Sequence, residues 1–151
     1  RYPRGRGITV DWKQAFSKIE IGKGVQLKKG ESLAILSIGS IAKNVSEAIL
    51  NLDVSHYDMR FVKPLDDKLL HTILKEYNTI ITIEDNAIKG GFGSAVLEFA
   101  SANNYKNDMT LLGIPDSFIE HGTVDELQYA LKLDPGSLKN YITGLIKKRG
   151  S

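Results

Sequence analysis

The sequence predicts an α/β fold: a three-layer αβα sandwich around a mostly parallel five-stranded sheet with one antiparallel edge strand. Three observations carry that expectation. Short apolar, β-rich runs alternate with longer stretches whose apolar residues recur at helical spacing. The run Leu33-Ala34-Ile35-Leu36-Ser37-Ile38 is nearly all apolar, as a strand covered on both faces should be. Glycines, prolines and capping residues fall at the changes of pattern. With 151 residues the chain suits one well-packed domain better than two.

Taken in order, residues 5–20 are weakly periodic, with Gly5, Gly7 and several charges, and read as a linker or surface crossing. Strands are expected at 25–27 and 33–38. Lys28-Lys29-Gly30-Glu31 between them reads as a hairpin turn, which makes the first strand the antiparallel edge. Ser40 is placed to cap a helix carrying Ile41, Val45, Ala48, Ile49 and Leu52 on one face. A strand lies within 54–62, and Asp66 is placed to cap a helix that turns Leu69, Leu70, Ile73 and Leu74 inward. Residues 79–83 form a further buried strand ending on Glu84-Asp85-Asn86. The loop Gly90-Gly91-Phe92-Gly93 then leads into a helix with Val96, Leu97, Phe99 and Ala100. A strand at 109–114 is closed by Pro115. Thr123-Val124-Asp125-Glu126 has the form of a capping box, in which Thr123 and Glu126 satisfy each other's backbone donors. The last helix starts at Pro135 after Asp134 and should bury Leu138, Tyr141, Ile142, Leu145 and Ile146.

Composition excludes several classes of function. The chain is 42% hydrophobic and 25% charged, and twenty basic against eighteen acidic residues leave a net +2, without the basic face of a nucleic-acid or membrane-surface protein. Lys147, Lys148 and Arg149 cluster at a helix end, where cations complement the helix dipole. No cysteine is present, so disulfides, thiolate metal sites and a cysteine nucleophile are excluded, which fits a reducing cytoplasm. No apolar run approaches the roughly 20 residues that span a bilayer. The turn-rich opening, Arg1-Tyr2-Pro3-Arg4-Gly5-Arg6-Gly7, reads as a piece cut from a longer chain.

Four features offer chemistry. The loop from Lys89 to Ser94 follows a strand and opens a helix, so its backbone donors could face a phosphate. It lacks both the Gly-Lys-Ser/Thr ending of a P-loop and the third glycine of a dinucleotide fingerprint, which favours a tight turn seating the helix close to the sheet. Glu84 and Asp85 are adjacent on a strand and point to opposite faces, so they do not form a carboxylate pair, and hydrogen bonding to the following loop or to a partner is the plainer role. His56, His71 and His121 show no metal-ligand spacing; His121, in a loop, is the one best placed for function. Arg4 offers a planar fork for phosphate or carboxylate on a proline turn, although a solvent-exposed arginine is the plainer reading of the spacing alone.

These strings resemble one family. Arg1-Tyr2-Pro3-Arg4-Gly5, Ile21-Gly22-Lys23-Gly24 and Asp58-Met59-Arg60-Phe61-Val62-Lys63-Pro64-Leu65-Asp66 resemble segments of the 1-deoxy-D-xylulose-5-phosphate synthases, within the transketolase family. Thr82-Ile83-Glu84-Asp85-Asn86 with Gly90-Gly91-Phe92-Gly93-Ser94 is similar to their T-V-E-E-N and G-G-x-G-S. Gly113-Ile114-Pro115-Asp116-Ser117-Phe118-Ile119 looks like their G-L-P-D-x-F-I. The order is kept across the chain. Asp85 stands where the family's second glutamate is usual, and the stretch from Ile8 to Glu20 matches poorly.

The resemblance implies residues 1–7 as the tail of a pyrimidine-binding domain, 8–20 as a linker and 21–151 as a transketolase-type C-terminal domain. It implies an enzyme condensing pyruvate with glyceraldehyde 3-phosphate, with loss of carbon dioxide, in isoprenoid precursor synthesis. Thiamine diphosphate and Mg2+ would be held by parts of the full-length enzyme outside this chain, which would carry no catalytic, cofactor or metal residue. Arg4 would bind the substrate phosphate. The expected partners are the preceding pyrimidine-binding domain and a second copy in a homodimer, with no nucleic acid and no membrane. Two other readings stand beside this one: the C-terminal domain of another transketolase-family enzyme, and a stand-alone nucleotide-binding α/β module.

Overall fold

The computed structural model describes residues 17–149, so Arg4 and the rest of segment 1–16 lie outside the described residues. Five strands form one sheet in the order β1-β3-β2-β4-β5. They are β1 (Val25–Lys28), β2 (Ala34–Ile38), β3 (Ser55–Asp58), β4 (Thr79–Ala87) and β5 (Asp108–Ile114). Only β1 runs antiparallel, against β3; the β2–β3, β2–β4 and β4–β5 pairs are parallel. Five helices complete the described residues: α1 (Ala42–Ala48), α2 (Asp67–Glu76), α3 (Phe92–Ala102), α4 (Val124–Ala130) and α5 (Pro135–Arg149).

Strand periodicity divides the core into two layers. Successive side chains leave a strand on opposite faces. Thus Ile35, Ile81 and Ile83 pack with Val45 of α1 and with Leu138 and Ile142 of α5. Ala34, Leu36 and Ile80 instead meet Leu70 and Ile73 of α2 and Phe92 and Val96 of α3. The sheet is covered on both faces, which is the three-layer arrangement the sequence predicts.

The hairpin is the first correction. The antiparallel edge strand exists, but its neighbour is β3, not β2. Almost entirely buried, β2 takes the centre of the sheet, where parallel neighbours flank it on both sides. The 28–31 loop passes beyond β3 instead of turning back. Gly30 N–H donates to Ser55 Oγ at 2.9 Å, and the Gly30 carbonyl accepts from the Tyr77 hydroxyl at 2.9 Å. A Cβ at Gly30 would run into the Val54 backbone, so only glycine brings the loop this close.

Helix starts show which local signals prevail. Asp66 caps α2, its Oδ1 accepting from Leu69 N–H at 3.1 Å. The Thr123–Glu126 capping box closes reciprocally, with N–H···O distances of 2.9 and 3.3 Å. Ahead of Pro135, Asp134 accepts from Ser137 N–H at 3.0 Å. Ser40 does not cap α1, whose first residue is Ala42 and whose N-cap is Ile41. The Ser40 hydroxyl points to Asp85 Oδ2 at 3.5 Å. Tyr141, expected inward on α5, is 41% exposed, while Leu138 and Ile142 are fully buried.

His56 is buried in β3, with Nε2 2.7 Å from Ser37 Oγ and Nδ1 3.4 Å from Ser46 Oγ. Burial lowers its pKa from 6.5 to about 4. The unfolded chain therefore binds the extra proton more readily between those values. The stabilisation is present above 6.5 and is lost as pH falls toward 4, removing about 1.5 kcal/mol between pH 6.5 and about 5. Urea midpoints measured across that range should fall more steeply for the wild type than for His56→Asn. Equal slopes would overturn this assignment.

Candidate functional site at the carboxyl edge of the sheet

In open α/β sheets, ligands and partners gather beyond the carboxyl ends of the strands. Here that edge carries Glu84 and Asp85 on β4, the glycine loop before α3, and the loop from Pro115 to Thr123 that follows β5.

Glu84 is buried, and its carboxylate accepts from Phe92 N–H at 2.8 Å and Gly93 N–H at 2.9 Å. Those donors belong to the first turn of α3, where four N–H groups have no partner within the helix and the helix dipole favours an anion. The protein's own carboxylate fills the anion position. The three glycines around it make the approach possible. A Cβ on Gly91 would strike the Ala87 carbonyl and the Glu84 carboxylate, and one on Gly93 would lie 2.5 Å from Thr82 Oγ1 and 2.7 Å from Leu111 Cγ. At Gly113 a Cβ would lie 3.0 Å from Glu84 Cγ. The loop is thus the tight turn its spacing suggested. The phosphate reading is disfavoured, since two of its donors are taken and a buried negative charge stands behind them.

Asp85 faces the other way, as adjacent strand residues must. It lines a cleft of about 360 Å³ together with Ile119, Glu120, His121, Leu127 and Leu131, among others. His121 thus reaches the cleft. His71 does not: its Nδ1 lies 2.8 Å from the Tyr105 hydroxyl and its ring packs edge-on to Phe99 at 4.9 Å. His56 is internal. The structure therefore joins Asp85 with His121 and separates the other histidines from them. Ile119, Leu127 and Leu131 were not legible as site residues: Ile119 stood only within a motif string, and Leu127 and Leu131, four residues apart, read as the inward face of a helix.

The region around the cleft is thinly packed. Helix α4 has no buried residue, and no β5 residue is fully buried. Phe118 is fully exposed and Tyr129 is 73% exposed. Among the described residues no group of three or more histidines and acids is placed to hold a metal ion, and no helix is long and apolar enough to cross a membrane.

Two of the motif strings meet at the opposite end of the edge. Asp66 Oδ2 accepts from Gly24 N–H at 3.2 Å, and Lys23 Nζ lies 3.6 Å from Asp66 Oδ1. A Cβ on Gly22 would lie 2.9 Å from Pro64 Cγ. The segment 21–24 is therefore clasped to the start of α2, a structural use of both strings.

Comparison with known proteins agrees with this architecture. A family model described as "Transketolase, C-terminal domain" matches residues 22–138. A 1-deoxy-D-xylulose-5-phosphate synthase of Bacteroides fragilis is 46% identical, covering 95% of this chain and 23% of that protein. Its counterpart from Cytophaga hutchinsonii is 47% identical over 96% of this chain and 24% of its own length. The chain thus spans about a quarter of the length of the curated relatives it matches. Among solved structures, one titled "Split gene transketolase, inactive beta4 tetramer" superposes with a TM-score of 0.77 at 27% identity, over 89% of this chain and 46% of that one.

Proposed function

Because the chain belongs to the transketolase C-terminal domain family, we propose that it serves as the C-terminal domain of a 1-deoxy-D-xylulose-5-phosphate synthase. The full-length enzyme would condense pyruvate with glyceraldehyde 3-phosphate, with loss of carbon dioxide. The observation that carries this reading is the level of identity to relatives of that name, 46–47% across nearly the whole chain, against 27% to the split-gene transketolase.

The described residues do not fit thiamine diphosphate or Mg2+. The N-terminus of α3, which could have met a pyrophosphate, is filled by Glu84, and among the described residues the acids and histidines form no group placed to hold a metal ion. Both groups are assigned to other parts of the full-length enzyme, and the enzyme itself to the cytoplasm, which this chain's lack of cysteine fits. This domain is assigned to packing on the preceding pyrimidine-binding domain and to support of a homodimer. The carboxyl edge, with Glu84–Asn86 and the glycine loop, is the side assigned to face another domain or subunit. Arg4 is assigned to the aldehyde's phosphate.

The test is an assay of the 151-residue chain beside the full-length enzyme, with pyruvate, glyceraldehyde 3-phosphate, thiamine diphosphate and Mg2+ supplied. The full-length enzyme should release 1-deoxy-D-xylulose 5-phosphate, and the shorter chain none. Product from the shorter chain would overturn the division of labour. Ketol transfer without decarboxylation by the full-length enzyme would favour a transketolase instead.

A further inference from the structure

The two outer strands of the sheet are guarded unequally. A strand at a sheet margin offers unpaired N–H and C=O groups to any other strand, and proteins blunt such margins with short strands, bulges, lysine or proline. On one side β1 has four residues, a register shift and Lys28. On the other β5 has seven residues, and neither a charge nor a proline interrupts Met109 to Ile114, all of them partly exposed.

Two hydrogen bonds fix which groups of β5 look outward. Asp108 N–H donates to the Asn78 carbonyl, and the Ile114 carbonyl accepts from Ile88 N–H, both at 2.9 Å and both on the β4 side. Backbone groups alternate along a strand. The even-numbered residues of β5 therefore serve β4, and Met109, Leu111 and Gly113 turn their N–H and C=O away from it. No partner for these groups occurs among the described residues.

A second copy of the chain fits this margin. Across a two-fold axis at Leu111, an antiparallel pair sets Leu111 against Leu111, Met109 against Gly113 and Thr110 against Leu112. Every outward residue then exchanges hydrogen bonds with its opposite. The same register puts exposed Lys106 opposite Asp116, which is exposed and of opposite charge. Pro115, which has no N–H, stops the ladder. Moving the axis to Leu112 would face Asp108 with Asp116, and moving it to Thr110 would face Lys106 with Ile114. We propose that two copies join β5 to β5 across the Leu111 axis, making one continuous sheet. The pairing rests on the reading of this chain as a domain of a homodimer and names the surface it uses.

The chain holds no cysteine, so one introduced thiol reports the contact by itself. Opposed Cα atoms in a hydrogen-bonded pair lie about 5.5 Å apart, within disulfide reach. Diagonal neighbours lie about 7–8 Å apart, beyond it. In the 151-residue chain Leu111→Cys should therefore oxidise to a dimer several-fold faster than Thr110→Cys, whose copies sit on the diagonal. Sedimentation of the cysteine-free protein should show a dimer that dissociates on dilution. Lys106→Glu should raise its dissociation constant several-fold, and adding Asp116→Lys should recover most of the loss. Both residues are exposed, so the fold is not at stake. Equal cross-linking at the two positions, or a dimer indifferent to Lys106→Glu, would overturn the pairing and leave a homodimer through another face. A monomer at every concentration would overturn it too. Slow amide exchange at Met109, Leu111 and Gly113 in that monomer would mean that another stretch of the chain lies along β5. No arm needs substrate, so failure here is separate from failure of the synthase assignment.

Discussion

Glu84→Ala is expected to cost the domain about 3–4 kcal/mol. The variant would strand Phe92 N–H and Gly93 N–H, each now bonded to a buried carboxylate. A hydrogen bond to a charged group contributes roughly 1.5–3 kcal/mol, and a buried donor left without a partner costs a further share of that order. The lost anion at the α3 dipole adds to the penalty. Glu84→Gln should cost roughly half as much, because one oxygen still accepts while the amide nitrogen turns a donor toward a donor. Urea unfolding monitored by circular dichroism reads both, through a lowered midpoint at constant slope. The Ala variant has a second signature. With its N-terminal donors freed, α3 should bind inorganic phosphate or sulfate, raising the melting temperature of the variant and leaving the wild type unmoved. A loss below about 1 kcal/mol, within the range of an ordinary surface substitution, would show that Glu84 is not what seats the glycine loop.

Arg4→Ala in the full-length enzyme is expected to raise the KM for glyceraldehyde 3-phosphate about ten- to hundredfold, the equivalent of roughly 1.5–3 kcal/mol for one charge-assisted contact. The KM for pyruvate, which carries no phosphate, should change far less. Arg4→Lys should recover only part of the loss, since an ammonium keeps the charge without the planar fork. With an unphosphorylated aldehyde as acceptor the defect should shrink, because the deleted contact has no partner there. Arg1, three residues away and of the same type, serves as the control. Equal losses for phosphorylated and unphosphorylated acceptors would show Arg4 to be structural.

What could be read in advance was what depends on near neighbours. Asp66 and Thr123 cap their helices because the groups they satisfy lie three residues on, within reach whatever the rest of the chain does. Ser40 carried the same kind of signal, yet the Ala42 and Lys43 N–H groups donate to the Gly39 and Ser40 carbonyls, and its hydroxyl turns to Asp85, a residue 45 positions away. The hairpin failed for a related reason. Nothing in Lys28-Lys29-Gly30-Glu31 reveals that residues 55–58 will lie between the two strands, nor that Tyr77 will hold the crossing loop by its carbonyl. For Glu84 the kind of role was legible, a bond to the following loop, yet its two donors emerge only once three glycines have let β4, β5 and α3 close together. The cleft was not legible at all. Its walls come from residues 85 to 131, on two strands, a loop and a helix, and no one of those stretches announces the cleft by itself.

The single reversed strand sets an address. Since β1 runs against its neighbours, its first residue sits at the carboxyl edge, beside Asp58. A parallel β1 of the same four residues would place that first residue at the opposite pole of the domain, about 10 Å down the strand axis. Whatever polypeptide comes before would then arrive under the sheet, away from Glu84, Asp85 and His121. One strand's direction thus decides which pole of the domain its neighbours meet, and a designer fusing another module ahead of residue 17 inherits that orientation.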